Sequence, residues 1–191
     1  MNSIILDLEI NNIKSVKSAL DKFSKTKIIT HIDQFTDADV LILPGNGSFK
    51  KGMKEIKKRG FEEIIKDYFY NNKKIISICL GLQLMMEESE EAKNIKGLNL
   101  IEGSVVKIDD RSIKLPLLGW YDVSFKNDFY EDRSFFFNNN YMINPVNKDL
   151  IIGKSNKIPS FVIKDNFYGF QFHPEKSGKR GIQLLKKILY E

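Results

Sequence analysis

Cysteine and histidine are scarce in these 191 residues: Cys79 is the only thiol, and His31 and His173 are the only imidazoles. One cysteine cannot close an internal disulfide, and so few soft ligands offer no cluster at zinc spacing. The expectation is therefore no metal and no cofactor, and Cys79 has to be explained by packing or by reactivity. Long apolar runs are also missing. Stretches such as Asp39 to Leu43 and Ile75 to Ile78 fall far short of the roughly 20 residues that cross a bilayer. The opening MNSIILDLEI carries Asp7 and Glu9 where a secretory leader would need a basic start and a longer apolar stretch, so a cytoplasmic protein with no membrane attachment is expected. No strong charge of one sign is present either. Thirty basic against 25 acidic residues give +5, spread along the chain, which argues for no nucleic-acid partner. The densest basic run, Lys50 to Gly60 (KKGMKEIKKRG), has Met53 and Ile56 at helical spacing. It reads as a solvated helix face, with Lys50 to Arg59 a possible contributor to docking.

What is present is enough apolar residue, 42%, to bury a core, and the length suits one domain over 1–191. The N-terminal half alternates short apolar runs with helical patterns, the signature of an α/β sheet flanked by helices. Ser3 to Leu8 reads as a strand, and Ile13, Val16, Leu20 and Phe23 as one face of a helix. A short strand follows near Lys27 to Thr30. Asp39 to Leu43 reads as a buried strand ended by Pro44-Gly45, Phe49 to Tyr70 as a helical region broken near Gly60, and Lys74 to Ile78 as the next strand. From about Gly97 the texture becomes β-branched and aromatic. Ser104 to Ile108, Trp120 to Phe125, Ser134 to Phe137 and Phe161 to Lys164 read as strands added antiparallel to the sheet. Asn138-Asn139-Asn140 reads as a polar turn, and Ile182, Leu185 and Leu189 mark a closing helix after Gly178.

Three stations carry chemistry. In KKIISICLGLQLMMEE an apolar strand runs into Cys79 and a helix-forming stretch begins at once, which puts the thiol on a bend at the carboxyl end of a strand, where open α/β sheets present residues to ligand. Gly81 permits the close turn, and the start of a helix favours thiolate over thiol. Taken alone, a lone cysteine in an apolar strand is more often a small core residue. In QFHPEKSG, Pro174 forces His173 to be extended, so imidazole and the Glu175 carboxylate can lie side by side, the carboxylate fixing the ring's tautomer. Taken alone, HPE reads as a surface turn. In LPGNGSF, Leu43 to Phe49, glycines after a buried strand let backbone N–H groups approach a developing negative charge; the bland alternative is a plain β-turn.

In this order and at these distances the three stations resemble the class I, or triad-type, glutamine amidotransferase domain, and the resemblance spans nearly the whole chain. It implies an open sheet, mostly parallel with antiparallel additions, flanked by helices. It also implies roles: Cys79 as nucleophile toward the side-chain amide of glutamine, His173 and Glu175 completing the triad, and backbone at Gly45, Asn46, Gly47 and Leu80 as oxyanion hole. Gln83 matches a glutamine-binding position, with Asn139 and Asn140 as further substrate contacts and Trp120 as a partner-interface residue, although a sole tryptophan could equally be core packing. PGNGSF, ICLGLQ, GFQFHPEKSG and the Gly119-Trp120 pair most resemble the branch that passes ammonia to a (β/α)₈-barrel cyclase, as a heterodimer, in histidine biosynthesis. Two stretches depart from that branch. Pro116 to Asp122 reads PLLGWYD where relatives carry PHMGWN, and Phe137 to Tyr141 reads FNNNY where they carry FVHSY. The runner-up is a paralogue supplying ammonia for amidino-sugar formation in surface polysaccharides. From other classes come a stand-alone cysteine hydrolase and a non-catalytic scaffold.

Overall fold

The computed structural model describes residues 1–10, 13–109, 114–131 and 133–191. Its first half alternates as the apolar runs require: β1 (Asn2–Leu6), α1 (Ile13–Leu20), β2 (Lys25–Ile29), β3 (Val40–Gly45), α2 (Phe49–Lys58), α3 (Phe61–Tyr70) and β4 (Lys74–Cys79). Helices α2 and α3 are separated at Gly60, whose φ of 71° is a left-handed value that glycine adopts at little cost. After β4 come α4 (Leu80–Leu84), β5 (Met86–Ser89), β6 (Ile101–Lys107), β7 (Leu117–Phe125) and β8 (Arg133–Asn139). Then come β9 (Tyr141–Pro145), β10 (Ile151–Ser155), β11 (Ile158–Lys164), β12 (Phe167–Phe170) and α5 (Gly178–Tyr190).

Among the described residues the main sheet has nine strands in the order β2-β1-β3-β4-β12-β11-β10-β7-β8. It is parallel from β2 to β12 and antiparallel from β12 to β8. Alternation along the central strands sorts side chains to two faces. Leu41, Leu43 and Ile75 pack with Met53, Ile56 and Ile65 of α2 and α3. Ile42, Ile76 and Ile78 pack with Val16 of α1 and Leu184, Leu185 and Ile188 of α5. Burial on both faces explains why β3 and β4 read as unbroken apolar runs.

Several expectations are corrected. The helix expected after Cys79 is only five residues long, and Met86 to Ser89 is instead a strand, paired in parallel with β6 in a second sheet of order β5-β6-β9. Ser104 to Ile108 thus belongs largely to that small sheet. The triple asparagine is not one turn, since β8 runs through Asn139. In the basic run, Lys50, Lys51, Lys54, Lys57 and Lys58 are exposed as expected. Arg59 is buried, held by Glu9 at 2.7 Å, Glu55 at 3.0 Å and the Thr30 carbonyl at 2.9 Å. No helix among the described residues is long and apolar enough to cross a membrane.

Candidate active site

Strands β3 and β4 lie in parallel register with Gly45 opposite Cys79, so the glycine loop and the thiol emerge side by side at the carboxyl end of the sheet. Cys79 bends sharply there. Its φ of 53° and ψ of −109° are values that non-glycine residues rarely adopt, and such strain persists only where the surroundings enforce it. The enforcement is visible in two glycines. A Cβ on Gly81 would run into the Leu43 backbone carbonyl, and one on Gly45 would sit 2.6 Å from Leu80 Cβ. The turn closes because both lack a side chain.

The other half of the site arrives from the far end of the chain. Strand β12 pairs in parallel with β4, and residues Gln171 to His173 continue past its end, which delivers the imidazole beside the thiol. His173 is extended (φ −102°, ψ 91°), as the following proline predicts, but Pro174 to Lys176 then coil into a single 3-10 turn. That turn, rather than continued extension, brings Glu175 Oε1 to 2.9 Å from His173 Nδ1. The His173 main-chain N–H donates to the Phe136 carbonyl at 2.8 Å, and Ser177 Oγ donates to the His173 carbonyl at 2.6 Å, locking the backbone.

Cys79 is 4% exposed and His173 3%. Burial pulls the imidazole toward neutrality, but charge and hydrogen-bond interaction with Cys79, then with Glu175, outweigh it and raise the His173 pKa to about 10. Since Nδ1 is taken by Glu175, Nε2 is the nitrogen left for sulfur. It makes no hydrogen bond of full geometry in the resting structure, so the thiol–imidazole pair is poised rather than locked. At neutral pH this arrangement favours a proton on the ring beside the Cys79 sulfur, a pairing that could support acyl transfer.

In front of the sulfur lies a cavity of about 270 Å³. The sequence-selected Asn46, Gly47, Leu80, Gln83, Asn139 and Asn140 all line it together with Cys79. Gly47 has a φ of 133° and is exposed at the loop's turn. Gly45 lies elsewhere: it lines a small crevice behind the site with Pro44, His173 and Glu175, and its part is the close packing against Leu80. The FNNNY stretch has not filled the cavity, because Asn139 turns its Nδ2 back to the Tyr141 carbonyl at 3.0 Å. Its Oδ1 is buried with no hydrogen-bond partner among the described residues. Trp120 lies outside the cavity. It is 55% exposed, which removes the core-packing alternative, and it meets Phe136 edge-on, Phe136 in turn lying 6.4 Å from the His173 ring.

Two residues escaped the sequence reading. Glu91, inside the acidic run EESEEA, lines the cavity and accepts from the Phe49 N–H at 2.8 Å, at the start of α2. Gln171, two residues before His173, is fully buried with its Nε2 3.9 Å from the Cys79 sulfur. Glu91 gave no signal beyond a charge run. Gln171 lies in QFHPEKSG but offers no titratable or nucleophilic group that a sequence pattern would mark.

The geometry agrees with the comparisons. Residues 4–191 match the family model described as glutamine amidotransferase class-I. The chain is 34% identical to imidazole glycerol phosphate synthase subunit HisH of Methanocaldococcus jannaschii, over 97% of each chain. It is 36% identical to the subunit of the same name from Thermotoga maritima, covering 94% of this chain and 90% of that one. Among solved structures, one described as a glutamine amidotransferase superposes with a TM-score of 0.82 at 16% identity, over 98% of this chain and 97% of the other. That likeness concerns the fold.

Proposed function

Because this chain belongs to the class-I glutamine amidotransferase family, we propose that it is the glutaminase subunit of an imidazole glycerol phosphate synthase, acting in the cytoplasm as one domain over 1–191. The observation that carries the proposal is that Cys79 and the Asn46-Gly47 loop line one cavity while the His173–Glu175 pair, in the crevice behind it, interacts with the same sulfur. The Cys79 sulfur attacks the side-chain amide carbon of glutamine. Backbone N–H groups of the Asn46-Gly47 loop and Leu80 hold the oxyanion, each such donor being worth roughly 10²–10³ in rate. As the C–N bond breaks, His173 gives its proton to the departing ammonia, leaving a γ-glutamyl thioester. Water then attacks, passing a proton back to His173, and glutamate leaves as the thiol is restored.

Substrate fits the cavity wall by charge. Glu91 supplies a carboxylate for the α-ammonium of glutamine, the unpartnered Asn139 Oδ1 supplies an acceptor, and Gln83 forms the floor beside the nucleophile. The ammonia passes to a (β/α)₈-barrel cyclase subunit in a heterodimer, with Trp120 and Leu118, both exposed on β7, on the docking face. The test is steady-state glutamine hydrolysis with and without that barrel subunit and its nucleotide ligand. Slow turnover alone and a large gain with the partner are expected, since the oxyanion loop must be arranged for catalysis. Full activity alone, with no gain, contradicts the coupled reading.

A further inference from the structure

We propose that Gln171 is a positioning residue for Cys79, holding the sulfur with an amide N–H whose direction is dictated from the far wall of the cavity. This rests on the glutaminase reading of the site. The direction follows from a chain of hydrogen bonds with one unambiguous end. The Tyr141 main-chain carbonyl can only accept, so the Gln83 amide atom 3.0 Å away must be its nitrogen. That same nitrogen lies 3.4 Å from Gln171, so the Gln171 atom it meets must be the oxygen. The remaining Gln171 atom, 3.9 Å from the Cys79 sulfur, is therefore Nε2, a donor. An amide side chain is free to turn over when nothing reads its two ends; here both ends are read.

Gln171 is fully buried and Gln83 is 5% exposed, so water does not compete for these bonds. At 3.9 Å the N–H to sulfur contact is long for a resting thiol, and it tightens on a charged sulfur, which attracts donors more strongly. The sulfur thus has a donor on one side and, also at 3.9 Å, the Asn138 carbonyl as acceptor on another. Among the described residues, the charged and titratable groups around it are His173 with Glu175 behind the ring, and Glu91 and Tyr141 in the cavity lining. Gln171 adds a neutral donor that does not titrate. Because Gln83 also lines the substrate cavity, glutamine touching Gln83 acts on the same chain that aims the nucleophile.

The experiment measures the pH dependence of Cys79 alkylation by iodoacetamide in the full-length protein and in Gln171→Met, which keeps the volume and removes the donor. The alkylation midpoint is expected to rise by about half a pH unit or more. Glutamine turnover should lose roughly tenfold in kcat with KM changed less than about twofold. A Gln83→Leu variant should move the alkylation midpoint the same way by less, because Gln171 is then free to turn. Should Gln171→Met fail to fold, the wild-type Gln171 side-chain amide resonance is followed by NMR against Cys79→Ala. It is expected to track the same titration in the wild type and to stay fixed in the variant. An unmoved alkylation midpoint in folded Gln171→Met, or an amide resonance blind to the titration, overturns the proposal. Neither outcome touches the glutaminase reading, which fails separately if a glutamine-like electrophile leaves Cys79 unlabelled.

Discussion

Gly45 and Cys79 stand directly opposite one another on neighbouring parallel strands, and this register is what places the glycine loop within reach of whatever bonds to the sulfur. The two stations are 34 residues apart in sequence. They meet because β3 and β4 end at the same level of the sheet, with Gly81 tucked under Leu43.

That tuck is testable. Gly81→Ala forces a methyl group onto the Leu43 carbonyl, a backbone atom that cannot swing away. We expect a loss of about 1–3 kcal/mol in denaturant unfolding and a fall in glutamine turnover greater than the lost stability explains. Unchanged stability would show that the turn has more room than its geometry indicates.

Glu175 is hydrogen-bonded to the imidazole of His173. Glu175→Gln keeps the shape of the 2.9 Å contact and removes its charge. Glutamine turnover should fall roughly 10³–10⁴-fold, the scale seen when a triad carboxylate becomes an amide, while the melting temperature moves by only a few degrees. A drop of less than about tenfold assigns Glu175 a packing role.

His173 also makes stability depend on pH. Its folded pKa of about 10 exceeds the ordinary 6.5. Charged His173 therefore supports the fold fully below about pH 6.5, and that support is lost as pH rises through about 10. Denaturant unfolding of the wild type and His173→Gln should show a stability gap that narrows across this window. A gap that widens with pH reverses the sign and rules out an imidazolium in the folded protein.

Trp120 offers a partner-side test. More than half exposed, it adds little to the fold. Trp120→Ala should leave the melting temperature within a few degrees and weaken binding to the barrel cyclase by about 2 kcal/mol or more, as aromatic anchors at interface centres do. Unchanged affinity would move the docking face elsewhere.

The parallel half of the sheet was legible because strands buried on both faces announce themselves as runs such as DVLIL and KIISIC, and because Gly60 and Pro174 act locally. The positions of Cys79, His173 and Glu175 were legible because each sits at a boundary that local chemistry marks. The second sheet was not. LMMEES is built of good helix formers, and only pairing with β6 and the close approach of Gly97 to Met86 turn it into a strand. Glu91 and Gln171 were equally invisible. Their roles arise from neighbours 42 and 92 positions away, Phe49 and Cys79, which no local pattern encodes.

The account stands most directly on the reactivity of one sulfur, measured by peptide-mapping mass spectrometry after treatment with a chloroketone analogue of glutamine, in complex with the barrel partner. A single adduct on Cys79, prevented by excess glutamine and absent in Cys79→Ala, is the predicted result. Modification at other residues, or none at all with the complex intact, would contradict it.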